Sequence, residues 1–150
     1  MAKLVVKGGK MICGTHRVAG NKNAALPMIA ASLLTSDSVT ITNLPDIDDV
    51  ALMLEVAKGF GVKVARNLKK DSVTLVAGKI RTAKIDPGLA ARIRTSFLFA
   101  GPLLARLGRV TLPPPGGDAI GHRRLDTHFA GFRALGATAT VGRKSLGFNH

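Results

Sequence analysis

Two stretches of this chain follow one pattern, and no other feature limits the possible folds as strongly. Ala24 to Val64 reads AALPMIAASLLTSDSVTITNLPDIDDVALMLEVAKGFGVKV, and Arg94 to Val141 reads RTSFLFAGPLLARLGRVTLPPPGGDAIGHRRLDTHFAGFRALGATATV. Each begins with an apolar helix-like run and passes into a short strand, Val39-Thr40-Ile41 or Val110-Thr111-Leu112. A Leu-Pro turn follows, then a second helix closed by glycine, then a further β-like run from Gly61 or Gly136. Val39 and Val110 lie 71 positions apart and Gly61 and Gly136 lie 75 apart, so the second copy is about four residues longer, within its Pro-Gly loop. A repeated unit of this size implies a fold built by duplication. An insertion in one copy's loop falls where scaffolds most often carry function. Alternating helices and short strands place the fold in the α/β (α+β) layered class.

Local chemistry supports these elements. Asn23 is placed to cap the first helix, with Pro27 tolerated in its first turn. Asp46, Asp48 and Asp49 crowd the start of the next helix and complement its dipole. Ile47, Val50, Ala51 and Leu54 give that helix an apolar face, and Gly59 and Gly61 end it. Asp71-Ser72 leads into Val73-Thr74-Leu75-Val76, which reads as a strand.

Composition narrows the partners. The 150 residues are 46% hydrophobic, enough for one domain with a real core. A single cysteine, Cys13, leaves no internal disulfide and suits a reducing compartment. The apolar runs Ala24 to Leu34 and Phe97 to Ala105 fall short of the roughly 20 residues that a membrane span needs, and MAKLVVKGGK is no signal peptide. The expectation is a soluble, cytoplasmic protein. A formal net charge of +13 favours anionic partners. The bases are dispersed as Lys69-Lys70, Arg92 and Arg94, Arg123-Arg124 and Arg143-Lys144, without interleaved aromatic residues. That dispersal argues against a nucleic-acid surface and leaves phosphorylated small molecules as the better fit.

Several residues bear on chemistry, each with a plain alternative. Lys22-Asn23 stands before an apolar helix, where an ammonium beside unpaired N–H groups can hold a phosphate or carboxylate; an ordinary exposed lysine fits equally well. Arg123 and Arg124 offer guanidinium forks to phosphate oxygens, or one of them pairs locally with Asp126. Asp118 follows Gly116-Gly117 in a loop stiffened by Pro113, Pro114 and Pro115. It is either a general acid or base held over an anion site or a common turn aspartate. His122 and His128 lack the company a metal site needs, and neither a P-loop nor a nucleophile elbow occurs.

Together these residues resemble the UDP-N-acetylglucosamine 1-carboxyvinyltransferase (enolpyruvyl transferase) family. The resemblance rests on Gly20-Asn21-Lys22-Asn23-Ala24-Ala25-Leu26-Pro27, Asn43-Leu44-Pro45 with Asp49-Val50, Arg94-Thr95-Ser96, and Gly101-Pro102-Leu103-Leu104-Ala105-Arg106. It continues through Pro115-Gly116-Gly117-Asp118-Ala119-Ile120-Gly121 to Arg123, Asp126 and His128. It implies an inside-out α/β barrel lobe of repeated βαβαββ units, here incomplete. Residues 1–21 would be a strand region belonging to the other lobe. Residues 22–150 would be a partial catalytic lobe with related units at about 24–77 and 91–143. The implied reaction moves the enolpyruvyl group of phosphoenolpyruvate to the 3-hydroxyl of UDP-N-acetylglucosamine, without cofactor or metal. It is the first committed step of peptidoglycan synthesis, on which cell-wall biogenesis, shape and division depend.

By the same resemblance, Lys22, Asn23, Arg94, Arg123, Arg124, Leu125, Asp126 and Thr127 bind substrates, and Lys22 and Arg123 also serve catalysis. Asp118 takes the loop position of the proton donor, which many members fill with cysteine, and this implies fosfomycin resistance. Arg124 stands where many members have proline, and the tail Arg143 to His150 departs from the family pattern. The general base and further ligands would come from chain beyond these residues. A non-catalytic truncated relic, or a module that binds anions or nucleotide sugars, is the alternative for so short a chain.

Overall fold

The computed structural model describes residues 3–114, 116, 124–142 and 145–150. Helix α1 (Lys22–Ala31) leads to β1 (Ser38–Ile41), α2 (Asp48–Gly59), β2 (Lys63–Asn67) and β3 (Ser72–Val76). A linker bearing the short helix α3 (Pro87–Arg92) follows. The order then recurs as α4 (Ala100–Leu107), β4 (Arg109–Leu112), α5 (Asp126–Ala134), β5 (Thr138–Val141) and β6 (Leu146–Asn149).

The strand register carries the duplication into three dimensions. Each unit forms a three-stranded antiparallel sheet with its last strand in the middle, β1-β3-β2 and β4-β6-β5. Ser38 and Lys63 both pair with Val76, as Arg109 and Thr138 both pair with Asn149. The turns after α2 and α5 agree in detail as well. The Gly61 N–H donates to the Lys58 carbonyl at 2.8 Å and the Gly136 N–H to that of Arg133 at 2.9 Å. These glycines have φ of 92° and 91°, a left-handed conformation that side-chain-bearing residues rarely adopt. The described residues contain no closed barrel, as suits an incomplete lobe.

One hydrophobic core joins the units. From the first come Ile29, Leu33, Val50, Met53, Phe60, Val73 and Leu75; from the second come Phe99, Leu103, Leu112 and Phe148. On β3, Val73 and Leu75 are buried while their neighbours are half-covered, the two-residue alternation of a strand with one face inward. Arg106 of α4 ties the units together through backbone oxygens of the first. Its Nη1 donates to the carbonyls of Leu33 at 3.1 Å, Thr35 at 3.3 Å and Ala77 at 2.6 Å. The linker also lies along the outer edge of β4. The Thr111 N–H donates to Ala83 at 2.9 Å, and Lys84 and Thr111 form a parallel bridge.

Three expectations are corrected. Asn21 caps α1, not Asn23: its Oδ1 accepts from the N–H groups of Asn23 at 2.7 Å and Ala24 at 3.3 Å. Pro27 therefore sits inside the helix, beyond the first turn, and it does so on the exposed face, where water can reach the carbonyl it leaves unbonded. On α2 the buried stripe runs through Val50, Met53, Leu54, Val56 and Ala57. Ile47, with extended backbone at the N-cap, turns away and is exposed, and Ala51 is half-covered. The second unit continues past 143, because Leu146–Asn149 of the divergent tail form the central strand β6 and bury Phe148.

Residues 3–21 contain no helix or strand. Leu4, Val5, Val6, Met11, Ile12 and Val18 along this segment are exposed.

Candidate active site

The backbone fixes the start of α1 before any side chain contributes. Gly20 runs over the Asn43–Pro45 turn so closely that an added Cβ would lie 1.7 Å from the Asn43 carbonyl oxygen. Asn43 itself has φ of 52°, which asparagine tolerates better than most residues. Asn21 then caps the helix, and Lys22 and Asn23 occupy its first turn. The side chain of Lys22 reaches across to α2 and forms an ion pair with Asp49, whose carboxylate sits in the first turn of that helix. In the sequence Asp49 reads as a complement to the α2 dipole and as part of the Asn43-Leu44-Pro45 and Asp49-Val50 resemblance, and neither reading contains this pairing. The available signal was the lysine: a cation at a helix N-terminus is on the unfavourable side of the dipole and calls for a nearby anion.

A second group of expected residues gathers around a groove of about 310 Å³ lined by Arg94, Thr95, Phe97, Leu98, Arg124, Leu125 and His128. Arg94 opens a 3-10 turn that packs against α1, and it is half-buried there. His128 lies against the Phe97 ring at 5.2 Å between centroids, so one wall of the groove is continuous with the aromatic core. Arg124 forms an ion pair with Asp126, Nε to Oδ2 at 2.5 Å, realising the local pairing that the sequence left open. Its two terminal nitrogens still carry donors after that bond, so the pairing and anion binding are compatible. Thr127 is exposed in the first turn of α5. The buried hydroxyl of Thr95, in the wall of this groove, has no hydrogen-bond partner among the described residues. The sequence carries no sign of that.

The Pro-Gly loop leaves β4 at Pro113 and meets α3 at Gly116. The Gly116 N–H donates to the Ala90 carbonyl at 3.0 Å, and an added Cβ would stand 1.9 Å from the Ala91 oxygen. Gly116 is therefore a close-contact glycine, needed because backbone meets backbone there. Asp118 and Arg123, expected as proton donor and phosphate ligand, lie outside the described residues.

The described part of the site thus offers an ammonium held at one helix start and a groove with two guanidinium groups and an imidazole. Such a set can hold anionic groups and orient a polar ligand.

Known proteins resemble this chain along nearly its whole length. A protein of Treponema denticola named UDP-N-acetylglucosamine 1-carboxyvinyltransferase is 48% identical over 137 residues, 91% of this chain and 32% of that protein. The protein of the same name from Treponema pallidum is 51% identical over 132 residues, 88% of this chain and 31% of its own length. The chain spans about a third of the length of the curated relatives it matches. Among solved structures, the enolpyruvyl transferase NikO from Streptomyces tendae aligns with a TM-score of 0.74 at 24% identity, over 95% of this chain and 31% of that one, a likeness of fold. Residues 6–148 match the model of the EPSP synthase (3-phosphoshikimate 1-carboxyvinyltransferase) family, and the chain belongs to that family.

Proposed function

We propose that this chain is the N-terminal portion of an enzyme that transfers the enolpyruvyl group of phosphoenolpyruvate to the 3-hydroxyl of UDP-N-acetylglucosamine. The observation that carries the reading is the gathering of Arg94, Arg124 and His128 around one groove, in a chain about half identical to enzymes of that name. Lys22 and Asn23 meet phosphoenolpyruvate, while Arg94 and residues 123–127 line the nucleotide-sugar site. The sugar hydroxyl gives its proton to a general base supplied by chain beyond these residues as its oxygen bonds to the carbon bearing the phosphate ester, and a proton from Asp118 goes to the terminal methylene carbon. A base then takes a proton from the resulting methyl group, restoring the double bond as the carbon–oxygen bond to phosphate breaks and phosphate leaves. Lys22 and Arg123 stabilise the departing anion, the kind of electrostatic contribution that dominates most enzyme rate enhancements.

Donors are needed on both sides of the reacting centre. Residues 1–21 are accordingly assigned to the other lobe, where their exposed apolar side chains find cover. The setting is cytoplasmic, because both substrates are phosphorylated metabolites of the cell interior. No helix among the described residues is long and apolar enough to cross a membrane.

In a chain completed with the second lobe, phosphate release should require both substrates. Replacing Asp118 by Asn, which keeps shape but not acidity, should lower turnover about a hundredfold or more. Unchanged turnover removes Asp118 from the mechanism. The same enzyme should resist fosfomycin, since a carboxylate opens an epoxide far less readily than a thiolate; covalent attachment at Asp118 would contradict this. The groove lined by Arg94, Arg124 and His128 also suits a second reading, a nucleotide-sugar binding module, which predicts binding by these residues without phosphate release.

A further inference from the structure

We propose that Asp49 is the positioning residue for Lys22, holding its ammonium so that two of its three donors stay directed to an anionic ligand. The inference rests on the reading of Lys22 as a phosphoenolpyruvate ligand. A lysine side chain on a surface helix samples many rotamers, and fixing it costs entropy. At the start of α1 the helix dipole opposes the charge as well, so nothing in α1 itself keeps the ammonium in place.

Asp49 does so from the neighbouring helix. The Lys22–Asp49 pair crosses from the first turn of α1 to the first turn of α2, and these two helices pack together. The Lys22 end is anchored by the close approach of Gly20 to the Asn43–Pro45 turn, which leads into α2, and by the Asn21 side-chain cap of α1. Val18 is also tied to that turn, its carbonyl accepting from Asn43 Nδ2 at 3.5 Å. The pairing is selective among the aspartates at this helix start. Asp46 takes Arg66 at 2.9 Å, and Asp49 takes Lys22. An ammonium has three N–H donors. One bond to Asp49 leaves two for phosphate or carboxylate oxygens, so carboxylate and ligand share the lysine without displacing each other.

The test reads Lys22 directly in the chain completed with the second lobe. An amine-acylating reagent is applied with increasing phosphoenolpyruvate or inorganic phosphate, and modification of the Lys22 peptide is followed by mass spectrometry. Asp49→Ala should raise the half-protecting concentration about fivefold, the scale of a partly exposed ion pair. Asp49→Asn, which keeps an acceptor oxygen in place, should recover part of the loss. Asp46→Ala, which removes the adjacent pair, should leave protection unchanged. Equal protection in the unsubstituted chain and Asp49→Ala overturns the positioning role and leaves the anion site standing. An equal loss in Asp46→Ala also overturns it, since the effect would then belong to α2 as a whole. Absence of protection in the unsubstituted chain overturns both this inference and the reading of Lys22 as a ligand.

Discussion

Helices α2 and α5 hold the same place in their two units, yet α2 buries five residues and α5 buries none. The equivalent glycine turns make the contrast residue by residue. Phe60 precedes Gly61 and is buried against Phe99, with ring centroids 5.2 Å apart; Leu135 precedes Gly136 and is 75% exposed. Val56 is buried in α2, whereas Gly131, its counterpart in α5, faces open space. The backbone of the repeat is thus kept while the side chains answer to their neighbours. α2 is packed against α1 and α3, and α5 leans on its own sheet through the half-buried Phe129 and Phe132. In a repeat architecture much of the stability lies in such interfaces between units.

The comparison can be broken most forcefully at Phe60. Phe60→Ala should lower unfolding free energy by about 3–5 kcal/mol in urea denaturation, as for a large buried aromatic. A loss under about 1 kcal/mol would mean that α2 is no better packed than α5. Next comes the tie between the units. Arg106→Met keeps the aliphatic stem but strips three carbonyls of their donor, and should cost about 2 kcal/mol by the same measurement. A separate, earlier melting step for the second unit would sharpen the result.

Gly131→Ala should have the opposite sign. Nothing lies within 4 Å of the added methyl, so the helix should gain about 1 kcal/mol and the melting temperature should rise. The smallest effect belongs to Leu135→Ser, expected to stay within about 0.5 kcal/mol as a surface substitution. A larger loss would show that α5 is covered in solution.

The duplication was readable because its signals are local: a β-like run, a Leu-Pro turn and a glycine needing positive φ stand at matching positions in both copies. Gly61 and Gly136 mark equivalent turns, with matching N–H bonds from each glycine and from the residue after it. The cap of α1 was misplaced because Asn21 and Asn23 are equally good capping residues, and only the Gly20 contact with the Asn43–Pro45 turn decides between them. Strand β6 was hidden because Leu-Gly-Phe-Asn is a poor strand by propensity, and its pairing with β4 and β5 is non-local. In the site, residue types pointed to anion binding, and the Arg124–Asp126 pair was among the foreseen options. The Lys22–Asp49 pair joins positions 27 apart in sequence, a contact that only the packing of two helices creates.

The linker along β4 bears on the order in which the protein assembles. Ala83 to Ile85 reach the ribosome exit before Arg109–Leu112 do, so the arriving strand finds backbone partners already waiting beside the first unit. An edge that would otherwise recruit strands from other chains is occupied from the moment it forms. The seam between the two copies therefore also covers a strand edge at Thr111.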